Sequence, residues 1–325
     1  MSRMAIDPSR LTVPGNMLLL GEYAVLEEGG LGIAVAVERR VRFHARPSDR
    51  FRIEGVWPGG AMRWTGPQDG NPVITETVAS VTSWAEHSGI PAHLPGATLR
   101  VDSTELFDAS GRKAGFGSSA AVTVGLTCQL TDLLLVRAAR APADADALVG
   151  LALESHRRAQ GGVGSGYDVL SSFHGGVGAF RGGRHPTWEA SRISGLLDLA
   201  LFRGKAPIST ADSVRRYQEW KRRDPAAAVE LLERSNAAVS GFLAATTASM
   251  AFRWFSAARE IGLALGERIG VSAGIEPPPG VDPAQCKAVG AGNELGVYVF
   301  EPGSRMPPGR ELERLSVADR GLRRG

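Results

Sequence analysis

Lysine and cysteine are scarce in this chain of 325 residues. Its two cysteines, Cys128 and Cys286, form no CxxC pair and no zinc-ligand spacing. That excludes a disulfide framework and reads as two reduced structural thiols. No stretch approaches the uninterrupted apolar length of a membrane span, and Met1 to Arg10 lacks the apolar centre of a signal peptide. The expected location is therefore cytoplasmic, with no membrane partner. A strong excess of either charge sign is also missing, since 34 acids stand against 37 bases for a formal net charge of +3. The arginines are scattered rather than gathered into a stripe with aromatics, so no nucleic-acid partner is expected. Lys113, Lys205, Lys221 and Lys287 are the four lysines among those 37 bases. In so arginine-biased a chain each is a candidate for a place that needs a compact ammonium group.

Apolar residues make up 43% of the chain, ample for a core in one large lobe or two. Against that background one stretch stands out, Gly115-Phe116-Gly117-Ser118-Ser119-Ala120-Ala121. Small residues let backbone bend tightly and approach a ligand closely, the two serines can cap a helix, and Val122, Leu126, Leu130 and Leu133 then share one helical face. Unpaired N–H groups and the positive end of the helix dipole make such a start an anion site. Lys113 adds a mobile charge just upstream. The run also fits the dinucleotide pattern G-x-G-x-x-A, but the residues before it, Asp108 to Lys113, form a polar loop rather than the strand that pattern requires. An ordinary capped core helix is the plainer reading of these seven residues alone.

In chain order, Leu11 to Val13 reads as a strand ending at Pro14-Gly15-Asn16, with a buried run resuming at Met17 and leading into Gly21-Glu22-Tyr23. Gly32 to Arg42, Arg50 to Val56 and Ala61 to Trp64 read as strands, Thr75 as the cap of a helix running to His87, and Ala97 to Val101 as another strand. Helices are expected from Ser118 to about Arg137 and from Asp144 to Gln160, with Asp144 and Asp146 as ordinary dipole partners rather than metal ligands. A second glycine-rich loop, Gln160 to Gly166, leads to Asp168. That aspartate is either a helix cap or a carboxylate held near a substrate oxygen. Leu196 to Phe202 reads as a strand, Arg203 to Thr210 as a loop suited to a phosphate or carboxylate ligand, and the rest to Arg268 as helical with a break near Asp224-Pro225. A third glycine-rich turn, Cys286 to Glu294, precedes a strand from Leu295 to Phe300.

Three small-residue loops far apart in sequence, two flanked by lysines, reach a known pattern. Pro14-Gly15, Leu18, Gly21-Glu22-Tyr23 and Val25-Leu26, then Gly115 to Ala121, then Gly290-Ala291-Gly292 resemble, in order and spacing, the three motifs of the GHMP small-molecule kinases. Lys113, the loop from Gln160 to Asp168, and Gly204-Lys205-Ala206-Pro207-Ile208-Ser209-Thr210 are most similar to the phosphomevalonate kinase branch. The resemblance implies an α+β, two-lobed GHMP kinase fold. Its N-terminal ATP-binding lobe, 1–190, would be similar to ribosomal protein S5 domain 2, and its C-terminal lobe, 191–325, ferredoxin-like. It implies ATP-dependent phosphorylation of 5-phosphomevalonate to the diphosphate in the mevalonate pathway, with ATP and Mg2+ as cofactors and a monomer or homodimer as the working form. By the same resemblance Gly115, Gly117, Ser118, Ser119, Ala120, Gly290, Ala291 and Gly292 bind ATP, and Ser119 and Glu154 hold Mg2+. Asp168 orients or activates the acceptor and Lys113 bridges donor and acceptor phosphates. Asn16, Glu22, Tyr23, Ser165, Gly166, Lys205, Ser209 and Thr210 meet the substrate. The chain departs from the pattern at Asn16, where lysine is usual, at Phe116, where leucine is usual, and at Asn293-Glu294, where glycines and an aspartate are usual.

Overall fold

The computed structural model describes residues 10–191, 195–204, 210–290, 294–307 and 312–325. Lys205, Ser209, Ala291, Gly292 and Asn293 lie outside the described residues. In order, the elements are β1 (Arg10–Leu20), β2 (Leu31–Pro47), β3 (Arg52–Trp57), β4 (Gly60–Trp64), α1 (Pro72–His87), β5 (Ala97–Asp102), α2 (Ser118–Arg137), α3 (Ala145–Ala159) and α4 (Tyr167–His174). They continue with β6 (Val177–Arg181), β7 (Thr187–Ala190), β8 (Asp198–Arg203), α5 (Thr210–Arg223), α6 (Pro225–Leu243), α7 (Ala248–Ile269), β9 (Cys286–Val289), β10 (Leu295–Phe300), β11 (Glu313–Arg314) and β12 (Arg323–Arg324).

Two of the expected boundaries move. Pro14-Gly15 does not end a strand; β1 runs straight through it to Leu20. Its ring and missing N–H are tolerated there, and Gly15 has a packing reason, since a Cβ would stand 2.8 Å from both the Phe116 carbonyl oxygen and Leu106. Helix α1 starts at Pro72 rather than after Thr75, because Asn71 caps it by accepting from the Ile74 N–H and Pro72 needs no N–H at the first helical position.

By contacts the chain forms two compact units that interleave in sequence. One comprises 10–16, 36–175 and 318–325, the other 17–35 and 176–317. The first unit holds a sheet in the order β12-β1-β2-β5-β3-β4 with α1 to α4 packed beside it. Within it β2 and β5 run antiparallel, with Arg42 opposite Asp102, and β3 runs parallel to β5. The last strand, β12, pairs antiparallel with β1, placing Leu11 opposite Arg324. Arg324 then grips both carboxylate oxygens of Asp132 at 3.0 Å and the Cys128 sulfur at 3.0 Å.

Helix α2 corrects two sequence expectations. With 20 residues and a mean hydropathy of 1.5 over its best window, it is long and apolar enough to cross a bilayer. It is nevertheless the central helix of this unit, packed by α1, α3 and α4. Nor does it bury one face only; its own Ala120, Ala121, Val124, Leu126, Cys128, Leu130, Leu134 and Leu135 are buried and spread around the helix. An all-round apolar helix is a core helix, which is why a single stripe was too narrow a description.

The second unit pairs residues 31–35 of β2 with β6, which also pairs β7. Its other sheet is four-stranded and antiparallel, β11-β8-β10-β9. Ala200, Phe202, Cys286, Tyr298 and Phe300 form one core beside that sheet. Tyr217, Trp220, Leu231, Leu265 and Ile269 form another among α5, α6 and α7.

Candidate active site

Helices α2 and α4 start in the same unusual way. Each has a left-handed glycine as its N-cap, Gly117 at φ 57° and Gly166 at φ 87°, and neither has a side-chain cap. In α1, α3, α6 and α7 a side chain of Asn71, Asp144, Asp224 or Thr247 fills that role. Ser118 and Ser119 are thus the first helical residues, not the caps. Leaving a helix start free of a capping side chain keeps its N–H groups and its positive dipole end for a ligand.

The loop before α2 is built by Asp108. Its carboxylate accepts from the backbone N–H groups of Ser110 and Arg112 at 2.9 Å and from the Ser110 hydroxyl at 2.6 Å. These bonds hold the carboxyl well below its ordinary range. The turn brings the chain back so that Lys113 bridges to Phe107 and the Ala114 N–H donates to the Leu106 carbonyl at 2.9 Å. The Lys113 side chain is exposed. Phe116 is buried and carries the Arg39 guanidinium 5.2 Å above its ring.

Asn16 is locked behind this loop. It is 1% exposed. Its backbone N–H donates to the Phe116 carbonyl at 3.1 Å, and its amide donates to the Ser172 hydroxyl at 2.9 Å and to the Gly117 carbonyl at 3.5 Å. Ser172 in turn donates to the Pro14 carbonyl at 2.8 Å. The Asn16 Oδ1 is buried without a partner.

His156, which the sequence reading did not single out, joins the two helix starts. On α3 it is 2% exposed, continuing the inward row of Leu148 and Ala152. Its Nε2 lies 3.2 Å from the Ser119 hydroxyl and its Nδ1 lies 3.6 Å from Asp168 Oδ2. A histidine that extends an apolar row by one more turn was the available signal. Asp168 is the second residue of α4 rather than its cap, and its Oδ1 accepts from the Val169 N–H at 2.9 Å. Ser165 is buried, with its carbonyl 3.4 Å from Arg157. Glu154, expected beside Ser119, is exposed and pairs with Arg158 at 2.6 Å. It lies two positions, roughly 200° of helix, from His156, so the α3 side chain that reaches Ser119 is the histidine.

In the second unit, Glu22 and Tyr23 take up different roles from each other. The Glu22 carboxylate accepts from the Lys287 ammonium, which also donates to the Ala288 carbonyl at 2.8 Å, and the Gly290 backbone supplies another bond. Burial raises the Glu22 carboxyl above its usual range, against the pull of that ammonium. The first and third motifs are thereby tied together by an ion pair that sequence spacing gave no means of pairing. Tyr23 has a left-handed backbone, φ 63°, and a ring 5.2 Å from that of Tyr217. Glu22 and Tyr23 line a small cleft with Arg259, Cys286, Lys287 and Gly290. Thr210 opens α5 on the surface.

Comparison with known proteins bears on the fold. Residues 77–176 match the family described as GHMP kinases N terminal domain. The chain has the GHMP kinase fold, mixed α+β, as the motif resemblance implied. The phosphomevalonate kinase of Saccharolobus solfataricus is 27% identical over 169 residues, which are 52% of this chain and 48% of that protein. The chain therefore spans about half the length of that curated relative. The Streptococcus pneumoniae phosphomevalonate kinase in complex with phosphomevalonate and AMPPNP superposes with a TM-score of 0.66 at 17% identity, covering 89% of this chain and 91% of that one. The L. major mevalonate kinase in complex with R-mevalonate gives 0.67 at 16%, covering 98% of both. At these identities the likeness speaks for the fold.

The residues fit the groups that a GHMP kinase uses. An uncapped α2 start behind two left-handed glycines, Gly115 at φ 83° and Gly117, suits a polyphosphate. Among the described residues no cluster of three or more acidic, histidine or cysteine side chains could cage a metal ion. Mg2+ needs no such cage, because it is held by one or two protein oxygens with phosphates and water completing the octahedron. The Ser119 hydroxyl, at the start of α2, is an oxygen that could serve in that way.

Proposed function

We propose that this protein is an ATP-dependent small-molecule kinase, and specifically a phosphomevalonate kinase that converts 5-phosphomevalonate to the diphosphate in isoprenoid precursor synthesis. One observation carries the reading: two glycine-started, uncapped helices, one bearing Ser119 and the other Asp168, meet on a single buried histidine. The first offers N–H groups to a polyphosphate and the second a carboxylate to an acceptor. The motif matches at Lys113, at the loop ending in Asp168 and at Lys205 favour the phosphomevalonate branch, and the S. solfataricus relative supports it.

Transfer onto an acceptor that is itself a phosphate brings two anions together, so catalysis is chiefly alignment and charge neutralisation. In this reading Gly115 to Ala120 and the Gly290 turn hold ATP, and Ser119 offers its hydroxyl to Mg2+, which neutralises developing phosphate charge when bound. Lys113 bridges the two phosphates. Lys205, Ser209 and Thr210 grip phosphomevalonate with Ser165 and Gly166. Asp168 orients the acceptor; a phosphate oxygen is already ionised near neutrality, so the carboxylate has little proton to remove. By function we divide the chain into an ATP-binding lobe, 1–190, and a C-terminal lobe, 191–325, a division along the sequence that differs from the interleaved units defined by contacts, in a cytoplasmic enzyme working as a monomer or homodimer.

The test is an ADP-release assay with phosphomevalonate, mevalonate and mevalonate diphosphate as alternative acceptors. Turnover with phosphomevalonate alone is expected. Turnover only with mevalonate would move the chain to the mevalonate kinase branch, and ATP binding without transfer to any acceptor would make it a non-catalytic ligand-binding protein on the same fold.

A further inference from the structure

We infer that His156 is a positioning residue that sets two groups at once, the hydroxyl rotor of Ser119 and the carboxylate of Asp168. The inference rests on the kinase reading above and adds a residue that reading does not contain.

Two sets of contacts point to the same ring tautomer. On one side, the neighbours of Nε2 are the Ser119 hydroxyl at 3.2 Å and the Gln160 amide nitrogen at 3.3 Å. An amide nitrogen only donates, so Nε2 is the acceptor and the proton sits on Nδ1. On the other side, Nδ1 faces the Asp168 carboxylate at 3.6 Å, an oxygen that only accepts when ionised. The two faces of the ring therefore agree on one tautomer, and Gln160, a turn later on the same helix, helps to hold it.

The tautomer has a directional consequence. With Nε2 as acceptor, the Ser119 hydroxyl hydrogen points back into α3, and its oxygen lone pairs turn away from the imidazole, the orientation a cation would need. The same ring presents its Nδ1–H toward Asp168 Oδ2, while the Val169 N–H holds Oδ1. At 3.6 Å that approach is electrostatic rather than a formed hydrogen bond, and a small closing movement would complete it. His156 is buried, and it acts through its two neighbours, Ser119 and Asp168.

Asparagine and glutamine separate the two roles. Asparagine places a donor near the Nδ1 position and nothing near Nε2; glutamine places an acceptor near Nε2 and nothing near Nδ1. His156→Asn is expected to weaken MgATP binding by roughly tenfold, raising KM for ATP, with kcat changed much less. His156→Gln is expected to lower kcat by roughly tenfold with KM for ATP near the original. Equal losses in both variants, in step with their melting temperatures, would reduce His156 to a structural residue and overturn the inference. Should the unsubstituted protein turn over no acceptor, the kinase reading falls, and direct MgATP titration still decides this one: equal affinity in His156→Asn and His156→Gln overturns it. Should either variant fail to fold, the more exposed Gln160→Ala serves in its place. It frees the ring to flip tautomer, and it is expected to weaken MgATP binding severalfold in the unsubstituted background but not beside Ser119→Ala; an equal effect in both backgrounds refutes the coupling.

Discussion

The amide nitrogen of Asn16 lies so close to Gly117 that a Cβ on that glycine would stand 2.3 Å from it. Asn16, in β1, and the cap of α2 therefore occupy a space that admits no methyl group, and Gly117 also has a left-handed backbone. Alanine there costs about 1–2 kcal/mol for the backbone alone, before the clash. Gly117→Ala is expected to lower the melting temperature by several degrees and to cut ATP affinity at least tenfold in a calorimetric titration. Unchanged affinity would mean that the start of α2 is not the nucleotide's seat.

Lys287 and Glu22 make a second test, of stability rather than ligand. Their side chains are 5% and 12% exposed. Lys287→Met strands a buried carboxylate and is expected to destabilise by about 3–5 kcal/mol. Pairing it with Glu22→Gln removes the stranded charge, so the double variant should recover much of that loss in urea unfolding. A double variant as unstable as the single one would show that the ion pair is not what holds the Gly290 turn.

Alkaline pH reaches two buried thiols and a half-buried phenol together. Burial pushes Cys128 and Cys286 from 9.0 up to about 12 and Tyr23 from 10.0 up to about 12. For each, the folded protein keeps its proton at a pH where the unfolded chain has released it. Their contribution to stability is therefore complete below about pH 9 and is lost as pH rises through 12. Urea midpoints should fall steadily from pH 9 upward. At pH 8 Ellman's reagent should find essentially no fast thiol in the native protein and two in urea; two fast native thiols would contradict the burial of these sulfurs.

Asp168→Asn and Lys113→Met address the chemistry. Both side chains reach the surface of their unit, so far-UV circular dichroism and melting temperature should stay near those of the original. Phosphoryl transfer is expected to drop by at least a hundredfold in each. Turnover at the original rate in both would remove the site assignment.

Much of the architecture was legible because its signals are local. Gly117, Gly166 and the helix of Asp144 announce themselves through glycine, acid and apolar spacing within a few residues. Pro14-Gly15 misled because the punctuation of a turn was here a close approach of Phe116, a contact about a hundred positions away. His156 escaped for the same reason, and Lys287, marked as one of four lysines, could not be given its partner. Each acquires its role only from Asp168, Ser119 or Glu22, brought to it by the fold. Asn16 shows the opposite case, a visible departure whose effect could not be judged until its contacts with Ser172 and Gly117 were in view.

The pairing of β12 with β1 has a consequence for how the protein comes into being. Leu11 and its neighbour Arg324 come from segments far apart in the sequence, so their pairing closes a long loop of chain. Until that arginine arrives, Asp132 lacks its guanidinium and β1 presents an open edge, the kind of surface that recruits other chains. Docking of β12 is thus what covers that edge and delivers the guanidinium to Asp132, so a variant that weakens this strand should open the first unit and associate more readily.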